Sequence, residues 1–371
     1  MNKKNIFLLV GCSFIIFSYG IAVGHFQIFP YENLKDIKET FSFPKKEINT
    51  FQTENNISSL ISIQNIDDVN KKREDIISFI WKSDGFPDRI INFEKNVLDS
   101  RYADLEELLQ IDKIEIDMDY GIDSKAYLFL SKNSNEKVII YHQGHDGDFE
   151  KGKEIIRFFL KNGFNVLAMS MPLQGMNEQP IIEIPQIGKI KLFSHEQFRF
   201  LDNENFSSMK FFLEPVAVSL NSMQKNYEFN EYIFLGISGG GWTSTIYSAL
   251  DDRITKSFTV AGGLPIILRN TIEDKGDYEQ TLPEFYKISN YFEFFIMSSL
   301  GDSRKYVQIF NEFDHCCYSG KKFEVYEEDI KSSIEKIGQG YFEIYLDSTH
   351  KEHKISDYSL NIILDEIDFR N

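Results

Sequence analysis

A serine flanked by glycines stands at Gly236-Ile237-Ser238-Gly239-Gly240, within the window YIFLGISGGGWTSTIYSAL. The run Tyr232–Leu235 reads as a buried strand, and a helical pattern begins near Trp242. G-x-S-x-G between a strand and a helix is the arrangement a serine nucleophile needs, because the turn must push the hydroxyl above the sheet edge. A Cβ at Gly236 or Gly240 would obstruct the approach of strand and helix. The helix N-terminus adds N–H groups and partial positive charge where an oxyanion would form. Two other readings compete. A glycine-rich turn can simply join a strand to a helix, and Gly236 to Gly241 has the spacing of a phosphate-binding loop. That loop requires a lysine where Trp242 stands.

A serine nucleophile needs a base, an orienter for that base, and an oxyanion hole. With the serine first in chain order, the acid follows a late strand and the histidine follows the last one. After the strand-like run VQIFN (307–311) comes Glu312-Phe313-Asp314-His315-Cys316-Cys317, which places Asp314 just past the strand end. Glu312 is the alternate, and Asp302 lies on the wrong side of the strand. After FEIYL (342–346) comes Asp347-Ser348-Thr349-His350-Lys351-Glu352-His353. Both His350 and His353 fall in the right loop. His353 is preferred as the base because it lies next to the helix-capping Ser356, and His350 remains the alternate. His315, His195 and His25 lack an equivalent strand-end position and are read as structural. For the hole, VIIY (138–141) precedes His142-Gln143-Gly144-His145-Asp146-Gly147. Gly144 lets that loop bend toward the serine, so the N–H of His145 can pair with that of Gly239.

His142, His145, Asp146 and Asp148 also invite a metal reading. The spacing is His-x-x-His-Asp with no further histidine cluster beside it, so no metal and no cofactor is expected. Cys12, Cys316 and Cys317 give neither a disulfide framework nor a C-x-x-C motif, and are read as packing residues.

These groups must be held by a scaffold, and the chain's texture supplies one. KIEIDM and KAYLFLS alternate like strands, and Asn133-Ser134-Asn135-Glu136 suggests a hairpin-like approach to VIIY. EKGKEIIRFFLKN then reads as a helix, NVLAM (165–169) as a strand, Trp242–Leu250 as a helix and SFTVA (257–261) as a strand. A closing helix runs from Ser356 to about Asp368. Strands alternating with helices predict an α/β fold with a mostly parallel central sheet and helices on both faces.

Upstream, Ile6 to Gly24 carries no charge, follows Lys3 and Lys4, and is just long enough to cross a bilayer. The basic flank predicts that its N-terminal end stays cytoplasmic and the bulk of the chain lies outside. The expected organisation is a signal anchor over 1–29, a polar stalk and N-terminal helical extension over 30–106 with a helix near Asn70 to Trp81, and a catalytic domain over 107–371. Ala22-Val23-Gly24 allows cleavage instead, which would leave the protein secreted, and Leu9-Val10-Gly11-Cys12 resembles a lipoprotein box. With 40 basic against 57 acidic residues and a formal charge of −17, broad binding to nucleic acid or to anionic lipid through a basic surface is excluded.

From about Tyr120 to the C-terminus the chain resembles the α/β-hydrolase superfamily, in its dienelactone-hydrolase or acyl-esterase-like style. The resemblance rests on YHQGHDGD, MPLQGMN, GISGG and the late Asp and His. It implies an ester-cleaving enzyme without a cofactor, in which Ser238 is nucleophile, Asp314 the acid, His353 or His350 the base, and His145 and Gly239 the backbone oxyanion donors. The family's frequent His-Gly after the third strand reads Gln143-Gly144 here. Residues 262–300 are longer than one crossover helix and resemble a cap-like insertion before the acid-bearing strand. Glu273, Asp274, Asp277 and Glu279 within it read as a solvated face. The partners expected are an acyl-ester substrate, on an envelope or surface glycan given the exported address, and the membrane through the N-terminal helix. A peptidase or amidase on the same fold, or a non-catalytic binding protein that retained it, are the alternatives.

Overall fold

Apolar runs too short for helices and rich in β-branched and aromatic residues form the centre of the molecule. The computed structural model describes residues 18–20 and 56–368, apart from 186, 270 and 272. The chain divides into two compact units, Met1–Ile48 and Asn49–Asn371. In the first, only the short helical stretch at 18–20 is described, so the expected anchor lies almost wholly outside the described residues. Among the described residues no helix is long and apolar enough to cross a membrane.

The second unit opens with helix α1 (Ile66–Trp81), capped by the Asn65 side chain on the Asp68 N–H. The strands and helices that follow are β1 (Leu108–Asp117), β2 (Asp123–Ser131), β3 (Lys137–His142), α2 (Lys153–Lys161), β4 (Asn165–Met169), β5 (Ile181–Ile184), β6 (Gly188–Lys191), α3 (Lys210–Asn226), β7 (Glu231–Ile237), α4 (Gly239–Leu250) and β8 (Ile254–Val260). The insertion contributes α5 (Tyr278–Thr281), α6 (Pro283–Tyr286) and α7 (Tyr291–Ser299). The chain closes with β9 (Lys305–Asn311), α8 (Glu327–Ile337), β10 (Tyr341–Asp347) and α9 (Asp357–Asp368).

Eight strands make one sheet in the order β1-β2-β4-β3-β7-β8-β9-β10, while β5 and β6 pair separately. The β1–β2 and β2–β4 ladders are antiparallel and all others in the large sheet are parallel. Strand alternation splits the core in two. Val138 and Ile140 of β3 join one cluster with residues of α1, α3, α4, α7 and α8, and Ile139 and Tyr141 join the other with residues of α2 and α9. The amphipathic α2 shows the packing logic, burying Ile155, Ile156, Phe159 and Leu160. Each such side chain contributes about 1.5–3 kcal/mol.

The expected hairpin-like approach of β2 and β3 is not made. β4 lies between them, so the turn at 133–136 redirects the chain into a parallel register instead: Asn135 N–H bonds Gly163 O, and Asn230 N–H bonds Glu136 O. Residues 56–106, expected as stalk and helical extension, join the larger core cluster through Val69, Ile76, Ile80, Trp81 and Phe93. Neither α3 nor α8 is anticipated by the sequence reading.

Candidate active site

Ser238 sits between β7 and α4 with φ 56° and ψ −121°, a backbone state that non-glycine residues adopt only under constraint. Two contacts impose it. The Ser238 N–H bonds Val260 O at 2.9 Å, and the Trp242 N–H returns to Ser238 O at 3.0 Å. A Cβ on Gly236 would run into the Gly240 backbone, so the strand can meet the helix this closely only with glycine. The loop after β3 crosses directly beside the serine. A Cβ on Gly144 would lie 2.8 Å from Ser238 Cβ. The same loop lays the His145 ring against Gly239. The backbone N–H groups of His145 and Gly239 meet no acceptor among the described residues.

The carboxyl ends of β9 and β10 are in register, with Asn311 opposite Asp347. Backbone bonds tie their loops together, from Glu312 N–H to Asp347 O at 2.8 Å and from His315 N–H to Lys351 O at 3.1 Å. This brings Asp314 and His353 into a 2.7 Å hydrogen bond from Nδ1 to Oδ2. Asp314 is 3 % exposed and also accepts from the Cys316 N–H at 2.7 Å and from Asn311 Nδ2 at 3.3 Å. With Nδ1–H donated to the carboxylate, the lone pair of His353 is on Nε2, a buried atom with no hydrogen-bond partner among the described residues. Burial works against a charge on His353, but the bond to Asp314, the Asp314 charge and the nearby Cys316 and Asp146 groups outweigh it and raise the pKa above 6.5. Among the described residues, Ser238 Oγ hydrogen-bonds neither histidine.

His350 goes elsewhere. Its Nε2 lies 3.3 Å from Asp347 Oδ2, and Asp347 is also held by Thr349, Ser356 and Ser359. Glu312, the alternate acid, bonds Ser348 Oγ and lies 3.6 Å from Lys321. Cys316 and Cys317 are not disulfide-bonded; their Sγ atoms lie 2.7 Å apart, and Cys317 Sγ lies 3.9 Å from His353 Nδ1.

The quartet His142, His145, Asp146 and Asp148 disperses. His142 is buried with Nδ1 2.8 Å from Gln143 O, and burial depresses its pKa to about 4. Asp146 turns to Gln143 and Lys151, and Asp148 caps the Glu150 N–H. Only His145 enters a titratable cluster, with partners the sequence reading misjudged. Its Nε2 lies 2.9 Å from both Asp277 Oδ2 and Glu279 Oε1, and His195 Nδ1 lies 3.3 Å from Glu279 Oε2. Burial disfavours the His145 cation, yet the Glu279 and Asp277 charges prevail and raise its pKa to about 10. Burial likewise opposes the Glu279 anion, and the two histidines overcome it, holding that carboxyl well below its usual range.

Two of the insertion's acids are therefore not part of a solvated face, while the Asp277 side chain is 45 % exposed. Glu279 is fully buried, and Asp274 is 2 % exposed, bonded to Lys322 at 2.7 Å and to the Tyr318 N–H. His195 is likewise more than packing, although it does stack on Phe198. No local spacing signals this cluster, since its members meet only through tertiary packing of three segments.

No protein-family model matches the sequence, and no curated protein matches it either. The structure is similar to acetyl xylan esterase 1 from Thermoanaerobacterium sp. JW/SL YS485, with a TM-score of 0.54 and 12 % identity over 84 % of this chain and 96 % of that one. It is similar to the acetyl xylan esterase from Paenibacillus sp. R4 to the same TM-score of 0.54, with 15 % identity over 84 % of this chain and 98 % of that one. At such identity the likeness concerns the fold.

Proposed function

We propose that the chain, whose α/β-hydrolase fold of a mostly parallel eight-stranded sheet with helices on both faces is shared with esterases, is a serine carboxylic-ester hydrolase. Ser238 is the nucleophile, His353 the base, Asp314 its orienter, and the backbone N–H groups of His145 and Gly239 the oxyanion donors. One observation carries this reading: a serine held in a strained turn where β7 meets α4, in a sheet whose β9 and β10 ends carry an imidazole whose Nδ1 is committed to a buried carboxylate and whose Nε2 is uncommitted.

In this reading His353 Nε2 takes the Ser238 Oγ proton as Oγ bonds to the acyl carbon. The carbonyl oxygen becomes an anion between the two N–H groups. Collapse of the tetrahedral intermediate breaks the ester C–O bond, and the leaving alcohol takes the proton from His353. Water then attacks the acyl-enzyme, with His353 again accepting a proton, and the carboxylic acid departs as Ser238 is restored.

The substrate class we propose is an acyl ester on an envelope or surface glycan. It is supported by the esters named for the two structural neighbours and by the uncharged run Ile6 to Gly24 behind Lys3 and Lys4. That run anchors the protein in the membrane with its bulk outside the cytoplasm, or exports it if cleaved. The test is hydrolysis of a nitrophenyl acetate and of an acetylated glycan by the chain and by Ser238→Ala. A loss of at least ~10⁴-fold is expected for the variant, and undiminished turnover by a folded Ser238→Ala protein would overturn the proposal.

A further inference from the structure

The cluster beside the Ser238 turn, the elbow between β7 and α4, has the composition of a metal site. We propose that His145, His195, Asp277 and Glu279 bind a divalent d-block cation, zinc by the ligand set, which fastens the insertion to the loop after β3. One ligand atom from each residue can be chosen so that all four lie within 4.8 Å of one another. The nearest pairs are 2.9, 2.9 and 3.3 Å apart. The last of these uses the other Glu279 oxygen, and a tetrahedral zinc with bonds of about 2.0–2.2 Å needs ligand separations of roughly 3.4 Å, so the side chains must close on the ion as it binds.

Three features separate this cluster from an ordinary ion-pair network. The first is the orientation of His195. Its Nε2 lies 2.9 Å from Pro172 O, and a carbonyl can only accept, so that nitrogen carries the hydrogen. The neutral ring then turns its Nδ1 lone pair toward Glu279 Oε2. Nδ1 and Oε2 at 3.3 Å require either a proton or a metal ion between them. A backbone carbonyl on the far nitrogen is also how metal-ligating histidines are commonly oriented.

The second is Glu279 Oε2 itself, buried within a fully buried side chain and without a hydrogen bond among the described residues. The third is charge. Asp277 and Glu279 form no ion pair with Lys or Arg among the described residues; their recorded ion-pair partners are histidines. Binding displaces the proton that His145 otherwise holds, and two carboxylates, two neutral imidazoles and one divalent cation then make a neutral set. Imidazole with carboxylate suits zinc better than magnesium or calcium, which favour all-oxygen shells.

The location gives the cation a positioning role. His145 lies against Gly239, so a cation on its ring fixes the loop that passes Ser238. This does not depend on the esterase reading, because the test reads metal rather than turnover. The full chain is purified, stripped with a chelator, checked for retained fold by circular dichroism, and titrated with zinc chloride, with magnesium and calcium chlorides as controls. Expected are saturable binding of about one zinc per chain, a melting temperature raised by zinc and not by the controls, and affinity reduced more than ~100-fold in Glu279→Gln and His195→Ala. That exceeds the 10–100-fold typical of outer-shell partners. Should His195→Ala fail to fold, the near-isosteric Glu279→Gln decides. Folded, stripped protein with no saturable zinc binding, or wild-type zinc affinity in Glu279→Gln, would overturn the proposal and leave a salt-bridge cluster.

Discussion

Asp314 and His353 are ordinary residue types made distinctive by where each hydrogen bond goes. Asp314→Asn keeps the shape but turns a carboxylate acceptor into an amide, which disturbs the tautomer of His353. Ester turnover is expected to fall by on the order of 10⁴. His353 must be neutral to accept a proton, and its pKa is raised. The rate should therefore climb with pH through a midpoint above 6.5, and Asp314→Asn should move the midpoint of its residual activity downward. A pH–rate profile of both proteins checks the sign. His350→Ala is expected to leave turnover unchanged, since Asp347 keeps its bonds from Thr349, Ser356 and Ser359. Which histidine pairs with Asp314 was legible only in part, through the nearby Ser356. Its role differs from simple capping, because Ser356 Oγ both bonds Asp347 and accepts from the Ser359 N–H. The His145 cluster was not legible at all. His145 and Glu279 are 134 residues apart, and no spacing rule reaches that far.

Individual strands and helices were more readable. Val138–Tyr141 and Tyr232–Leu235 are continuous apolar runs because parallel strands are buried on both faces. The order in which they pair was not readable, and the turn at 133–136 shows why: its residues suit a tight reversal, yet β4 occupies the place beside β2. The elbow holds strain that substitution can expose. Ser238→Gly should be about 1 kcal/mol more stable than Ser238→Ala, because only glycine adopts φ 56° without penalty. Denaturant midpoints of the two inactive proteins measure this. The insertion is fastened to α4 by Trp242, whose Nε1–H bonds Tyr286 Oη at 2.7 Å. Trp242→Phe should cost about 1–3 kcal/mol by losing that bond and leaving a small cavity.

For the whole molecule, α1 belongs to the core. Ile76 and Ile80 are fully buried and Trp81 is 3 % exposed. At about 1.5–3 kcal/mol each, these three side chains alone approach the 5–15 kcal/mol by which domains are stable. A fragment of residues 107–371 should therefore lack a cooperative melting transition that residues 56–371 retain, as read by calorimetry. The proposed membrane address rests on the apolar run near the N-terminus. Removing residues 1–29 should shift the protein from the membrane fraction to the soluble one while ester turnover persists. The central claim, that Ser238 is an activated nucleophile, is tested most directly by treating the folded chain with a fluorophosphonate and mapping the modified peptide by mass spectrometry. The account predicts one adduct, on Ser238, formed far more slowly in His353→Ala. An unmodified protein, or an adduct on another serine, would contradict it.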